Sequence, residues 1–150
     1  MKHSLLLLCA SLALTPGAAH AAPKHHPKPA APAPAPPAKS PAVQAAEAWL
    51  ALVDSGQYDK SYDTAASAFK AQVTAAQWTA AMQQVRAPLG AVKTRTFASA
   101  KHIPAPPGAP AGDYALIQYS TAFANKPSVE TITMTKDTDG QWRASGYFIR

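Results

Sequence analysis

The chain of 150 residues has a single cysteine, Cys9. It can form no intramolecular disulfide and no cysteine metal centre. Aromatic residues are absent before Trp49, so the first third of the chain has little with which to build a core. The seven glycines are isolated, which excludes a glycine-rich phosphate loop. Long apolar runs are also missing. The longest, Leu5 to Leu14, is too short to span a bilayer.

What the N-terminus does have is a recognisable order. Met1-Lys2-His3 is basic, Leu5 to Leu14 is apolar, and Ala19-His20-Ala21 is an A-x-A site. This is the layout of a secretory signal peptide over residues 1–21, with cleavage between Ala21 and Ala22. The expected location is periplasmic or secreted. Cys9 lies inside the apolar run and is lost with the signal. Leu8 precedes it, where a lipid-anchored cysteine wants a small residue. Residues 22–41, APKHHPKPAAPAPAPPAKSP, hold eight prolines and no aromatic residue. Such a segment has nothing to bury, and proline favours extended backbone, so a disordered, semi-rigid tether of roughly 3 Å per residue is expected. The neighbouring His25-His26 lack the spacing of a preset metal site.

Residues 42–150 are long enough for one domain. They carry ten basic and eight acidic residues. A near-neutral domain is a poor footprint for nucleic acid. The first half has helical periodicity. Ser40 suits a cap and Pro41 the first helical position. Val43, Ala46, Trp49, Leu50 and Val53 then share one face, and Gly56 suits the stop. A second helix carries Tyr58, Tyr62, Ala65 and Phe69. A third opens on Thr74-x-x-Gln77, a capping-box pattern. It points Trp78, Ala81, Met82, Val85 and Leu89 inward and ends at Pro88.

The period then changes to two. Strands are expected over 92–101, 114–123, 128–136 and 141–149, with a proline-rich loop at 103–113 and an Asp139-Gly140 hairpin. Three helices followed by a four-stranded antiparallel meander make an α+β fold with one sheet face buried by the helices. Pairing Phe123 with Ser128, and closing the last hairpin with a two-residue loop, sets Tyr119, Ile132 and Tyr147 in one row. Ile117, Met134 and Ser145 form the next, and Thr121, Glu130 and Ile149 the one after. In that register Trp142, Ala144 and Phe148 fall on the other face.

The element order resembles the curved-sheet, cystatin-like architecture shared with the nuclear transport factor superfamily. At closer range, residues from about 45 to 150 resemble the bacterial family catalogued as domain of unknown function 4019. The resemblance is carried by AEAWLALVDSGQY (46–58), QW (77–78), VRAPLG (85–90), IQYSTAFANK (117–126), VET (129–131) and WRASGYFIR (142–150). Thr133 stands where the family pattern has proline. The resemblance implies the fold class and an exported location. It brings no catalytic residues.

Little in the domain reads as chemistry. His102 is its only histidine, and no nucleophile elbow accompanies it. Asp54, Asp59 and Asp63 cluster where the second helix begins, which its dipole favours. No catalytic residue, metal ligand or cofactor is assigned. The candidate binding residues are Glu130, Arg86, Tyr119 and Tyr147. Glu130 is a lone carboxylate on the apolar sheet face, and a desolvated carboxylate is either a functional group or half of an ion pair, here with Arg86 or Arg95. The leading expectation is a non-enzymatic exported module that binds a small ligand or an envelope protein, with no nucleic acid and no membrane span. The alternatives are an enzyme using Glu130 as general base and a structural envelope-associated module.

Overall fold

The computed structural model describes residues 39–150. The expected signal peptide (1–21) and nearly all of the expected proline-rich tether (22–41) lie outside the described residues. The first helix, α1 (Pro41–Asp54), starts where its cap directs. Ser40 is extended, and its Oγ accepts from Val43 N at 3.4 Å. Ala42, Val43, Ala46, Trp49, Leu50 and Val53 are all buried. Gly56, at φ 72°, turns the chain out of the helix.

The expected second helix is two short ones, α2 (Tyr58–Asp63) and α3 (Ser67–Lys70). The break has a long-range cause. Ala66 N leaves the helical pattern to donate to Ala144 O at 2.9 Å in the last strand. Thr64 Oγ1 donates back to Lys60 O at 3.0 Å and helps end α2. Then α4 (Ala75–Arg86) opens on a complete capping box between Thr74 and Gln77. It turns Trp78, Met82 and Arg86 inward. Ala81 and Val85 face solvent instead, because the buried stripe follows i, i+4, i+8 and an arginine takes the last place. Leu89, past the helix end, is buried as expected.

The sheet comprises β1 (Val92–Ile103), β2 (Tyr114–Phe123), β3 (Pro127–Lys136) and β4 (Trp142–Ile149), antiparallel in the order β1-β2-β3-β4. The protein is therefore α+β, helices followed by an antiparallel meander. The register between β2 and β3 is two residues from the expected one. Ala122 pairs with Pro127, and Tyr119 with Glu130. A two-residue slide keeps every side chain on its face. Between β3 and β4, Ile132 pairs with Tyr147 and Glu130 with Ile149 as expected.

A bulge then intervenes. Thr133 faces Gly146 but Met134 faces Ala144. The extra residue returns Ala144 to the core, at 2% exposed, and lets Trp142 pack against it. Phe148 alone stays outward. The hairpin also has three loop residues rather than two. Asp137 N donates to Gln141 O at 2.8 Å, and Gly140 takes the left-handed position at φ 80°.

The core lies between α1, α4 and the inner faces of β2, β3 and β4. Leu50, Ile117, Ile132 and Met134 are fully enclosed. Ser61 joins the two tryptophans. Its carbonyl accepts from Trp49 Nε1 at 2.8 Å and its Oγ from Trp78 Nε1 at 2.9 Å. Among the described residues, no helix is long and apolar enough to cross a membrane.

Candidate functional site

Glu130 is wholly buried. Strand β3 points it at the helices, and four elements supply its partners. Arg95 on β1 donates from Nε to Oε2 at 2.6 Å and from Nη2 to Oε1 at 3.0 Å. Arg86, the last residue of α4, donates from Nη1 to Oε1 at 3.3 Å. The hydroxyls of Thr121 on β2 and Tyr147 on β4 donate as well. A carboxylate has about four lone-pair positions. Five donors leave none free for a proton in transit.

Asp54 completes the cluster from the end of α1. It accepts from Arg86 Nη2 at 2.7 Å, and from Arg95 Nη1 and Nη2 at 2.6 and 2.9 Å. Two arginines thus meet two carboxylates with no net charge. Asp54 is not at the start of the second helix, as its position in sequence had implied. It is the last residue of α1, where the dipole disfavours an acid. The two arginines compensate. Of the three aspartates, Asp59 does sit in the first turn of α2, where it accepts from Thr79 Oγ1 at 2.9 Å.

Arg86 is 6% exposed. Its guanidinium also lies 4.7 Å from the centre of the Phe123 ring, a cation–π contact that offsets part of its desolvation. Burial alone would lower the pKa of Arg95. Its hydrogen bonds to Asp54 and Glu130, and their charges, outweigh burial and raise it. Tyr147 is held protonated, first by burial and then by the negative charge of Glu130.

Tyr119 does not join the cluster, although it pairs with Glu130 across the strands. Its ring stacks edge-on to Phe97 at 5.9 Å. Its hydroxyl is buried and has no hydrogen-bond partner among the described residues. Burial first, and then the charge of Glu47, pushes its pKa up to about 12. Of the four candidate residues, the fold therefore brings Glu130, Arg86 and Tyr147 together and leaves Tyr119 apart. Sequence reasoning missed Asp54 as a member. The signal available was an acid at a helix end with no basic residue in the last turn.

A groove of about 430 Å³ runs beside the cluster, bordered by Asp54, Arg86, Tyr58 and Gln83 and open to solvent. Both charged groups at its border are engaged with partners. His102 packs its ring 6.0 Å from that of Trp142. Among the described residues, no three His, Cys, Asp or Glu side chains are grouped to hold a metal ion.

A second groove, about 420 Å³, lies on the outer sheet face. Phe69, Pro106, Pro107, Tyr114 and Phe148 border it. Phe148 is 70% exposed, the most open large apolar side chain among the described residues. The loop beside it is pinned by Tyr114, whose hydroxyl donates to Pro110 O at 2.9 Å.

Neither curated proteins nor solved structures match the chain. One family model does, over residues 45–147, from the second turn of α1 to Tyr147 of the ion cluster. That span covers more than half of the chain, and the protein belongs to the family described as protein of unknown function (DUF4019).

Proposed function

We propose that the protein is an exported, non-catalytic module that binds a protein partner through the outer face of its sheet. One observation carries this reading. Phe148 stands open beside a groove walled by Phe69, Tyr114 and two prolines. Aromatic residues exposed in such settings are typical anchors of protein interfaces. The groove border bears no charged side chain and sets its aromatic and proline residues beside Gln72, Thr133 and Ser145, so the partner surface it fits is uncharged, with an apolar centre over Phe148.

The ion cluster supports the non-catalytic part. A general base needs a free lone pair within reach of substrate. Glu130 has neither a free lone pair nor exposed surface. Its arrangement is that of a structural tie between α1, α4 and the sheet. The A-x-A site at Ala19-His20-Ala21 supports export.

The test is a photo-crosslinking residue placed at position 148, with a control at the exposed Gln84 on α4. In intact cells, a defined adduct is expected from position 148 and none from position 84. The partner identified in that adduct should bind purified Phe148→Asp at least about tenfold more weakly, as for loss of an anchor residue. Absence of an adduct at 148, or unchanged affinity, would refute the reading.

A further inference from the structure

β1 differs from the other strands. None of its twelve residues is buried, whereas six of the ten in β2 are. Its neighbour in the sheet is β2. Among the described residues, its other edge pairs with nothing. The far edge of the sheet is shorter, at eight residues, and the α2–α3 junction occupies part of it through Ala66 N. A long edge strand exposes backbone donors and acceptors that can pair with another chain.

Charge narrows the occupant. β1 carries Lys93, Arg95, Lys101 and no acidic residue. Arg95 is engaged by Asp54 and Glu130, while Lys93 and Lys101 are exposed. Antiparallel pairing of two β1 strands about Phe97 would bring lysines of the two copies together, and like charges across strands repel. Edge lysines are a known device against self-pairing. The same charges attract an acidic strand.

Two further features define the place. Bulges at Val92/Thr94 and Phe97/Ser99 interrupt β1 and leave Ser99–Ile103 in unbroken register. Just before that run, Phe97 is 48% exposed, with its ring against Tyr119. We infer that the free edge of β1, over Ser99–Ile103 and back to Phe97, accepts an extended acidic segment of a partner protein by strand addition. Carboxylates meet Lys101, and an apolar side chain covers Phe97. β1 and β4 are the two edges of the sheet; His102 of this run packs on Trp142 of β4 and the following loop borders the outer groove, but Phe148 is not among the groups the added strand would touch.

The experiment uses the full mature chain and a fluorescent eight-residue peptide alternating glutamate and valine. A lysine–valine peptide is the counterpart. The glutamate peptide should bind, lose affinity with added salt, and slow amide exchange in β1. Lys93→Glu/Lys101→Glu changes two exposed side chains and should reverse the preference between peptides by about tenfold or more, since like charges at an interface are costly. Phe148→Asp should leave peptide binding unchanged. No binding of the glutamate peptide, binding indifferent to the charge reversal, or exchange protection outside β1 would each overturn the inference. Loss of binding in Phe148→Asp would place the peptide in the outer groove, which also overturns it.

Discussion

A single carboxylate can be a reagent or a tie, and its surroundings decide which. Glu130 has lost all contact with water and gained two guanidinium groups and two hydroxyls. Removing one member of a buried ion pair leaves the other charged and unpaired. Glu130→Gln should therefore destabilise the fold by about 3 kcal/mol in urea or thermal unfolding, with Asp54 retaining the arginines in part. A change within ~0.5 kcal/mol would mean that the carboxylate is not a structural tie. Tyr119 offers the opposite case. Its hydroxyl is buried with no partner among the described residues, so Tyr119→Phe should be neutral or slightly stabilising at pH 7, because an unsatisfied group costs free energy. The pH dependence follows from the raised pKa. In the unfolded chain the phenol ionises near its ordinary value of 10.0, and in the folded protein only near about 12. A raised folded value means that its contribution is intact below pH 10 and is lost as pH climbs from 10 towards 12. Tyr147, also raised, adds to the loss in the same direction. Denaturation midpoints taken between pH 8 and pH 11.5 should fall above pH 10, and Tyr119→Phe should flatten that fall. A parent midpoint that holds steady above pH 10 would contradict the shift.

Elements whose signals are local were legible in the sequence, and elements fixed from a distance were not. The cap at Ser40, the box at Thr74 and Gln77, and the alternation of β2 and β3 all act within a few residues. Each sits where its pattern implies. The break between α2 and α3 depends on Ala144, far along the chain, which takes the amide of Ala66. Nothing near Ala66 announces it. The bulge in β4 did leave a trace, since a glycine inside a strand pattern often marks one and Gly146 lies there. The ion cluster was half legible. Glu130 and its two arginines follow from face and charge, while Asp54 becomes a member only when α1 is laid on the sheet. Turns make a sharper test of the same distinction. Gly90 and Gly140 both have positive φ, at 75° and 80°. An added Cβ at Gly140 meets open space, whereas at Gly90 it would stand 3.0 Å from Ala124 Cβ and 3.3 Å from Asn125 Nδ2. Gly140→Ala should cost only the left-handed penalty of about 1–2 kcal/mol. Gly90→Ala should cost more, because the β2–β3 turn must also move. Equal losses in the two variants would show that Gly90 is needed for its φ alone.

At the scale of the molecule, the absence of cysteine after Cys9 sets the terms of stability. A domain exported to an oxidising compartment commonly relies on disulfides when its core is small. In this domain, which has no cysteine, an aromatic cluster packs the core. Trp49 and Trp78 lie 5.6 Å apart, Phe69 meets Trp78 at 5.3 Å, and Tyr147 meets Trp49 at 5.5 Å. The ion cluster lies beside it and fastens the C-terminal ends of α1 and α4 to the sheet. Helix packing and charge pairing thus converge on Tyr147, whose ring belongs to one network and whose hydroxyl to the other. Under the proposed export, cleavage after Ala21 removes the one thiol. Protein recovered from the cell envelope should then begin at Ala22 by mass spectrometry, without a lipid adduct. Its unfolding midpoint should be the same with and without reductant, since no disulfide can form. An intact Met1 terminus in the envelope fraction, or an adduct on Cys9, would refute the cleavage. A midpoint that shifts with reductant would reveal a retained Cys9 engaged in an intermolecular disulfide.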